Sequence, residues 1–256
     1  MYNLLVNKIY LSVVIPSYNE MANLQKGVLD KVEHFLEKHK FEYEVIIADD
    51  GSIDGSVEFE DKFTKENPKF RLIRNSHTGK AGAVSAGILK AEGEYVLFTD
   101  MDQATPIEEV EKLLPFVNKF DVVIGSRSSQ RKGAPWTRTL MAKGMIVLRT
   151  VIVGLRGIED TQCGFKLFRT EAAKKLFTKL SGLHHGYKKI SGSSVKAGFD
   201  VELLLLAKKS GYAVKEVPVE WLYVESRRVS PIKDSIEAVE DLVRIRVNDL
   251  SGKYKL

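Results

Sequence analysis

The stretch LFTDMDQATP, residues 97–106, places Asp100 and Asp102 directly after an apolar run that begins at Tyr95. Such a run is typical of a buried strand, so both carboxylates follow the carboxyl end of that strand. Two carboxylates this close repel each other, which makes the ionised pair unfavourable on its own. The pair therefore requires a positive group nearby. The apolar runs on either side of this stretch predict the rest of the fold.

Apolar runs alternate with helical patterns through the first half of the chain. Strands are predicted at residues 11–16, 42–49, 70–75, 95–100 and 121–127. Helices are predicted from Asn23 to about His39, from Ser56, over 80–91 and from Pro106, which suits a first helical turn. Because each predicted strand is a continuous apolar run, we expect an α/β fold with a Rossmann-like, mostly parallel sheet and helices on both faces.

The second half of the chain is less regular. It predicts a helix over 137–154, a strand over 161–168 with a short helix after it, a Gly-, Ser- and Lys-rich loop over 181–198, a helix over 200–210 and an extended segment over 212–221. From Pro231, apolar residues recur at helical spacing, which predicts an amphipathic helix over 231–256. Since no repeat or linker divides the chain, we expect a single domain, 1–256.

Composition narrows the class of protein. The chain has 256 residues, 44% of them hydrophobic, and a net charge of +5 without a run of five like charges. This pattern disfavours nucleic-acid binding and favours a basic face for phosphates or anionic lipid. With one cysteine, Cys163, and no signal-peptide pattern, we expect a cytoplasmic protein. The longest nearly apolar segment, 144–155, is too short to cross a membrane, so the protein is expected to be soluble or to lie on a membrane surface.

Acidic residues follow three of the predicted strands. Glu20 follows the first strand, Asp49 and Asp50 the second, and the pair at 100 and 102 the fourth. Because ligands of open α/β sheets bind beyond the carboxyl ends of the strands, these groups are candidates for one site. The alternatives are that DDGSIDGS (49–56) is only a turn and that the pair at 100 and 102 only caps the next helix. The functional interpretation is a divalent cation, since Mg²⁺ takes one or two carboxylates together with phosphate oxygens.

The phosphate-binding motifs of dinucleotide and P-loop proteins are absent from the chain. No GxGxxG follows the first strand, and no GxxxxGK[ST] occurs. The segment HTGKAGAVSAG, residues 77–87, is rich in glycine but matches neither motif. Its small residues suit tight packing of a helix on the sheet, whereas Lys80 at the start of that helix could reach a phosphate.

Taken together, five elements resemble the inverting family 2 glycosyltransferases of the GT-A fold. They are VVIPSYNE (13–20), IIADDGSIDGS (46–56), GKAGAVSAGI (79–88), DMD (100–102) and VVIGSR (122–127). Two further segments, IEDTQCGFKLF (158–168) and FDVELLLLAKKSGYAVKEVPVEW (199–221), are similar to the branch that makes polyprenyl-phosphate sugars, especially the dolichyl-phosphate β-glucosyltransferases. The dolichyl-phosphate mannose synthases are a more distant match, because Ala104 and Ala142 stand where those enzymes carry Gln and Ser.

The resemblance implies a role for each matching residue. Pro16, Tyr18, Glu20, Ala48 and Asp50 would line a nucleoside pocket, Asp100 and Asp102 would hold Mg²⁺ or Mn²⁺, Met101 would lie near the ribose, and Arg127 and Arg138 would bind the acceptor phosphate. Residues 11–127 would then be the nucleotide-sugar-binding half and residues 128–230 the acceptor-binding half. The implied substrates are UDP-glucose, or a related nucleotide sugar, and a dolichyl or other polyprenyl phosphate.

The chemistry of a phosphate acceptor explains why cations matter here. A phosphate monoester has a second pKa of about 6, so it is already a nucleophilic dianion at neutral pH and needs no general base. The cations that follow the fifth strand are Arg127, Arg131, Lys132, Arg138 and Lys143. Arginine matches phosphate oxygens two at a time, although a solvated basic loop would look the same in sequence. Asp160 remains open as a base, as the partner of an arginine or as a cap.

A lipid acceptor requires contact with a membrane. On one continuous helix, Arg138, Arg149 and Arg156 would lie within about 20° of one face. Apolar neighbours make this helix a candidate anchor at the cytoplasmic face, with a partly buried core helix as the alternative. A separate membrane-spanning partner also stays open. Competing functions are a dolichyl-phosphate mannose synthase that uses GDP-mannose, a family 2 transferase with a carbohydrate hydroxyl acceptor, which would need Asp160 as its base, and a nucleotide-binding module without catalysis.

Overall fold

The computed structural model describes residues 8–127, 136–187, 198–222 and 231–254. Its strands are β1 (Leu11–Ser17), β2 (Tyr43–Asp49), β3 (Phe70–Arg74), β4 (Tyr95–Thr99), β5 (Val122–Ser126), β6 (Phe165–Arg169) and β7 (Val214–Pro218). Its helices are α1 (Met21–Leu24), α2 (Val28–Glu37), α3 (Ser56–Glu66), α4 (Lys80–Lys90), α5 (Val110–Leu113), α6 (Trp136–Val153), α7 (Thr170–Leu183), α8 (Gly198–Lys209) and α9 (Pro231–Leu250).

The strands form one seven-stranded sheet in the order β3-β2-β1-β4-β6-β5-β7. Every pairing is parallel except those of β6, which runs antiparallel to both β4 and β5. The predicted α/β architecture with a mostly parallel sheet is therefore confirmed. Because β6 runs backwards between two parallel strands, the turn before it meets the carboxyl ends of its neighbours.

Helices cover the sheet on both faces, as predicted. The core on one face is formed by residues of α2, α3 and α5, and includes Leu36 and Val110. The core on the other face is formed by residues of α4, α7, α8 and α9, and includes Val84, Leu204 and Leu242. Both halves of the chain contribute to the same sheet and to both cores.

Three local expectations are wrong. The predicted helix from Asn23 to His39 is divided into α1 and α2 by Gly27, whose φ of 71° a helix interior does not allow. The strand predicted over 161–168 begins only at Phe165, because a turn precedes it. The helix after that strand, α7, has 14 residues and is not short. Each error comes from a boundary that backbone conformation decides.

The cationic face predicted for Arg138, Arg149 and Arg156 is also wrong. Helix α6 ends at Val153, so Arg156 lies beyond it. Arg149 is buried, and its guanidinium donates hydrogen bonds to the carbonyl oxygens of Ile158 and Glu159 and to other groups of that loop. The side chain of Arg138 lies outside the described part of the chain. Arg149 therefore stabilises the loop after α6 and does not face a membrane.

Helices α6 and α9 pack against each other, and both expose apolar side chains. On α6 these are Val147, Leu148 and Val151, and on α9 they are Ile236, Val243, Val247 and Leu250. Within the described ranges, no helix combines the length and the apolar character that a membrane span requires. Both helices thus carry apolar side chains that are exposed to solvent.

One ion pair lies deep between the sheet and α8. Lys166 on β6 is 0% exposed, and its ammonium donates to Asp200 Oδ1 and to the carbonyl oxygen of Cys163, both at 2.6 Å. A buried lysine of this kind is tolerated because its charge is paired and its hydrogen bonds are made. The pair fixes the start of α8 against the strand that neighbours β4.

Candidate active site

The carboxyl ends of β1, β2, β4, β5 and β7 and the start of β6 lie at one edge of the sheet. A cavity of about 160 Å³ opens there, lined by residues that include Asp100, Asp102, Arg127, Gln162, Gly164 and Trp221. Both aspartates of the DMD stretch thus share a cavity with Arg127, which the sequence placed 25 residues further along the chain. The predicted meeting of strand ends at one rim is confirmed.

Asp100 is held between a lysine and a glycine. Its Oδ1 lies 2.5 Å from Nζ of Lys80, the first residue of α4. On its other side, a Cβ atom added to Gly164 would lie 2.0 Å from Asp100 Oδ2. Only a residue without a side chain therefore leaves room for this carboxylate. In the described protein, the positive group that the aspartate pair requires is the Lys80 ammonium.

The ionisation of these groups reflects their crowding. Burial raises the pKa of Asp102, and the neighbouring charge of Asp100 raises it further, although the backbone N–H of Ala104 donates to Asp102 at 3.0 Å and opposes the rise. Burial lowers the pKa of Lys80, but the charges of Asp100, Asp200 and Asp102 outweigh burial and raise it overall. The lysine therefore stays charged and keeps its place beside the carboxylates.

The aspartate pair fits a divalent cation of the magnesium type. In the ranges that the structure describes, no three His, Cys, Asp or Glu side chains are grouped to hold a metal ion. Mg²⁺ does not need such a group, because it takes one or two carboxylates and completes its shell with phosphate oxygens and water. The space that the missing Cβ of Gly164 leaves around Asp100 is consistent with this use. Asp100 and Asp102 would be the protein ligands.

Asp50 stabilises the turn before α4. Its carboxylate accepts hydrogen bonds from the backbone N–H groups of Thr78 and Gly79, both at 2.8 Å, and lies 2.7 Å from His77 Nδ1. The ring of His77 stacks on Tyr18 with a centroid distance of 4.1 Å. Asp50 and Tyr18 are thus joined through one histidine, although the two residues follow different strands. The segment 77–79 therefore lies between Asp50 and Tyr18, and its His77 contacts both.

The remaining nucleoside-pocket residues have different surroundings. Glu20 and Pro16 are partly exposed, and Glu20 Oε2 accepts a hydrogen bond of 2.6 Å from Asn23. Ala48 and Met101 are 0% and 2% exposed, so a ligand could touch them only if the covering side chains moved. The nucleoside role that the resemblance implies for these residues stays a prediction.

Arg127 is fixed by Asp160. Its Nε and one terminal nitrogen donate to the two carboxylate oxygens at 2.7 and 2.9 Å, and its backbone N–H donates to Asp160 as well, at 2.9 Å. Glu216 on β7 accepts hydrogen bonds of 2.7 Å from the backbone N–H groups of Glu159 and Asp160, which orients the loop. Of the three roles open for Asp160, the structure shows two: Asp160 is the partner of Arg127, and its Oδ1 caps the following turn by accepting a hydrogen bond of 3.2 Å from the backbone N–H of Gln162.

The other predicted phosphate-binding arginines cannot be placed. Arg131 and the side chain of Arg138 lie outside the described residues. Arg127 itself borders a second, mostly apolar cavity of about 270 Å³ between α6, α8 and α9. Met145 and Leu242 line this cavity, and Asp160 and Gln162 border it on the polar side. Arg127 thus lines both a polar cavity and an apolar one.

Sequence reasoning missed several residues of this site. Gly164, Lys166 and Asp200 occur in segments that served only for the resemblance, and Trp221, whose ring centroid lies 5.8 Å from the Arg127 guanidinium carbon, was not singled out. Cys163 is buried, and burial raises the pKa of its thiol to about 11. Strand β6 brings Gly164 to the DMD stretch, whereas Trp221 reaches the same cavity from the segment after β7, and no local pattern predicts either pairing.

A buried carboxyl group lies beneath the β1 end of the site. Glu60 on α3 is 0% exposed, and its carboxyl group lies near Ser17 at the end of β1. Burial raises the pKa of Glu60 to about 8, and the charges of Asp49, Asp54 and Glu20 add to the rise. Glu60 is therefore protonated at neutral pH in the folded protein.

The close fit between Gly164 and the Asp100 carboxylate can be tested with Gly164→Ala. We expect the new Cβ to push the Asp100 carboxylate aside and to weaken Mn²⁺ binding by about 10- to 100-fold, the usual effect of losing a group that orients a metal ligand. The control is Gly182→Ala on α7, where no described atom lies within 4 Å of the added Cβ. Titration of each variant with Mn²⁺, followed by the electron paramagnetic resonance of the free ion, measures the affinity. Wild-type affinity in Gly164→Ala would contradict the assignment.

The proton on Glu60 gives the stability of the fold a pH dependence. Between an unfolded pKa of 4.5 and a folded pKa of about 8, the folded state keeps a proton that the unfolded state releases. The free energy of unfolding should therefore fall as pH rises through this window, by up to about 1.4 kcal/mol per pH unit. Glu60→Gln should remove this fall in urea titrations at pH 5 to 8, whereas Glu58→Gln, on the exposed face of the same helix, should retain it. Equal slopes in all three proteins would refute the assignment.

Comparison with known proteins agrees with this geometry. The model of the family described as glycosyl transferase family 2 matches residues 12–177. The chain is 35% identical to the dolichyl-phosphate β-glucosyltransferase of Dictyostelium discoideum, over 98% of this chain and 78% of that protein. It is also 35% identical to the enzymes of that name from Saccharomyces cerevisiae, over 97% and 77%, and from Homo sapiens, over 96% and 78%.

Solved structures show the same fold at low sequence identity. Mannosyl-3-phosphoglycerate synthase from Rubrobacter xylanophilus superimposes with a TM-score of 0.64 at 17% identity, over 97% of this chain and 76% of that one. Glucosyl-3-phosphoglycerate synthase from Mycobacterium tuberculosis, solved with Mn²⁺, UDP and glucosyl-3-phosphoglycerate, superimposes with a TM-score of 0.59 at 18% identity, over 95% and 80%. The sheet, the ordered acidic motifs and the near-full-length relatives agree: this chain belongs to glycosyl transferase family 2, and within it to the dolichyl-phosphate β-glucosyltransferases.

Proposed function

We propose that this protein transfers glucose from UDP-glucose to a dolichyl or other polyprenyl phosphate, with inversion and with Mg²⁺ or Mn²⁺ as cofactor. The observation that carries the proposal is the position of Arg127. Arg127 lines both the cavity of Asp100 and Asp102 and the apolar cavity beside α6 and α9. A phosphate bound at this arginine would meet the donor on one side and would extend its lipid chain into apolar surroundings on the other.

The proposed binding of the nucleotide-sugar donor rests on the charges around its diphosphate. A bound divalent cation would neutralise the diphosphate leaving group. Asp100 and Asp102 would hold that cation at the end of β4, and the charged Lys80 lies close enough to Asp100 to interact with the same diphosphate. Tyr18, Glu20 and Asp50, at the ends of β1 and β2, would bind the nucleoside, as the resemblance implies.

The acceptor side requires an ionised phosphate and no base. A phosphate monoester is largely a dianion at neutral pH, so the chain has only to position it and to screen its charge. Arg127 suits this because Asp160 holds its Nε and one terminal nitrogen, which fixes the plane of the guanidinium. Arg131 and Arg138 are proposed to contribute further cations. Attack from the face of the sugar opposite the diphosphate then gives inversion.

Contact with the membrane would involve α6 and α9. Both helices line the cavity proposed for the lipid, through Met145 on α6 and Leu242 on α9, and both expose apolar side chains that would rest on a membrane surface. We place the protein as a peripheral enzyme at the cytoplasmic face of the membrane. A separate membrane-spanning partner is compatible with this arrangement.

Donor and acceptor can be identified in one assay. Purified protein is incubated with Mn²⁺, a short polyprenyl phosphate and either UDP-glucose or GDP-mannose, and the lipid product is detected by mass spectrometry. We expect a hexosylated lipid from UDP-glucose alone, with one UDP released per product, and a β-linkage by NMR. Asp102→Asn should lower turnover at least about 100-fold, since a displaced or missing ligand disrupts leaving-group stabilisation. Product from GDP-mannose but not from UDP-glucose would identify a mannose synthase and reject the proposed donor.

Asp160→Asn separates a phosphate acceptor from a hydroxyl acceptor. If Asp160 only positions Arg127, the amide keeps one hydrogen bond to the guanidinium, and turnover should fall about tenfold, mainly through a higher KM for the lipid phosphate. If Asp160 were the general base for a hydroxyl, loss of its charge should abolish turnover at every acceptor concentration. Steady-state kinetics with varied lipid phosphate distinguish the two cases.

A further inference from the structure

We infer that Lys80 serves as a resident counter-cation, which neutralises Asp100 until a divalent cation arrives and then transfers its ion pair to the diphosphate of the donor. This inference rests on the proposed function, because it assumes a metal and a nucleotide diphosphate at the aspartate pair. It assigns to Lys80 a role in coupling the binding of the two ligands. Lys80 is thus a positioning residue whose partner changes during the reaction cycle.

The starting position of the ammonium is set by close contacts. Lys80 Nζ lies 2.5 Å from Asp100 Oδ1, at an oxygen that a metal ion would also use. On its other side the same carboxylate lies close to the backbone of Gly164, since an added Cβ would lie 2.0 Å from Asp100 Oδ2. The carboxylate therefore cannot turn freely to serve two cations in different directions. A cation that binds Asp100 competes with Lys80 for it.

The side chain of Lys80 is held less tightly than that of Lys166. Lys166 is fully buried and is held by Asp200 and by a backbone carbonyl oxygen, both at 2.6 Å. The Lys80 side chain is 23% exposed and stands on a flexible four-carbon stem at the first residue of α4. Asp200 is already paired with Lys166, so it offers a displaced Lys80 a poorer partner than a diphosphate would.

Displacement has a thermodynamic consequence. A dication that binds beside Asp102 approaches the Lys80 ammonium and is repelled by it, so Lys80 weakens the binding of metal alone. When the diphosphate is present, the displaced ammonium gains a new anionic partner, so Lys80 strengthens the binding of metal and nucleotide together. Because coupling free energies are reciprocal, metal must strengthen nucleotide binding by the same factor. Lys80 thus favours the complete metal–nucleotide complex over either ligand alone.

The test measures Mn²⁺ affinity, with and without UDP, by electron paramagnetic resonance of the free ion. Lys80→Met should bind Mn²⁺ alone about tenfold more tightly than the wild type, and should lose most of the increase in affinity that UDP causes. Lys80→Arg, which keeps the charge and the ion pair, should resemble the wild type. Lys26→Met is the matched control: Lys26 is exposed, its charge acts on Asp102 only at a distance, and its ammonium donates to Asn23.

Each outcome of this measurement either supports or contradicts the inference about Lys80. Unchanged or weaker binding of Mn²⁺ alone by Lys80→Met would overturn the inference, because a structural partner of Asp100 stabilises the metal ligand and does not compete for it. An equal gain in Lys26→Met would also overturn it, since the effect would then be one of general charge. If the wild type binds neither Mn²⁺ nor UDP, the proposed function itself fails. Lys80→Gln repeats the measurement if the methionine variant does not fold, which circular dichroism checks.

Discussion

The structure depends on how the chain accommodates two aspartates, one residue apart, at the end of a buried strand. Asp100 is stabilised by an ammonium group 2.5 Å away and is confined by a glycine that leaves it room. Without the Lys80 ammonium, the two carboxylates would repel each other in a partly desolvated site. Without the space that Gly164 leaves, the carboxylate of Asp100 would have to turn away. We expect the charge balance at this point to decide which ligands the cavity accepts. The aspartate pair would attract a cation, and the cation would then attract an anionic diphosphate.

The sheet topology assembles this balance from distant segments. Strand β6 runs antiparallel between β4 and β5, so the turn 160–164 lies beside the end of the strand that carries the aspartates. That turn supplies both Gly164, which makes room for Asp100, and Asp160, which orients Arg127. One reversed strand therefore positions both the side proposed to hold the metal and the side proposed to bind the acceptor phosphate. A fully parallel sheet would send this turn to the opposite edge.

Much of this could be predicted from the sequence, and the remainder could not for physical reasons. Continuous apolar runs ending in acidic residues predicted the strands and the shared rim, because burial and the direction of parallel strands determine both. The inward turn of Arg149 and the fit of Gly164 against Asp100 depend on contacts between segments far apart in the chain, which periodicity does not encode. The break at Gly27 was missed because a single positive φ interrupts an otherwise regular apolar pattern.

Asp160 illustrates how a fixed partner limits the chemistry that a residue can perform. A general base must be free to accept a proton from the reacting group. Asp160 is buried, and its two oxygens already accept hydrogen bonds from the Arg127 side chain, from the backbone N–H of that residue and from the N–H of Gln162. Protonating it would leave a guanidinium without its counter-charge. The fixed partner of Asp160 therefore agrees with the proposal that the nucleophile arrives already ionised, as a phosphate monoester at an arginine would.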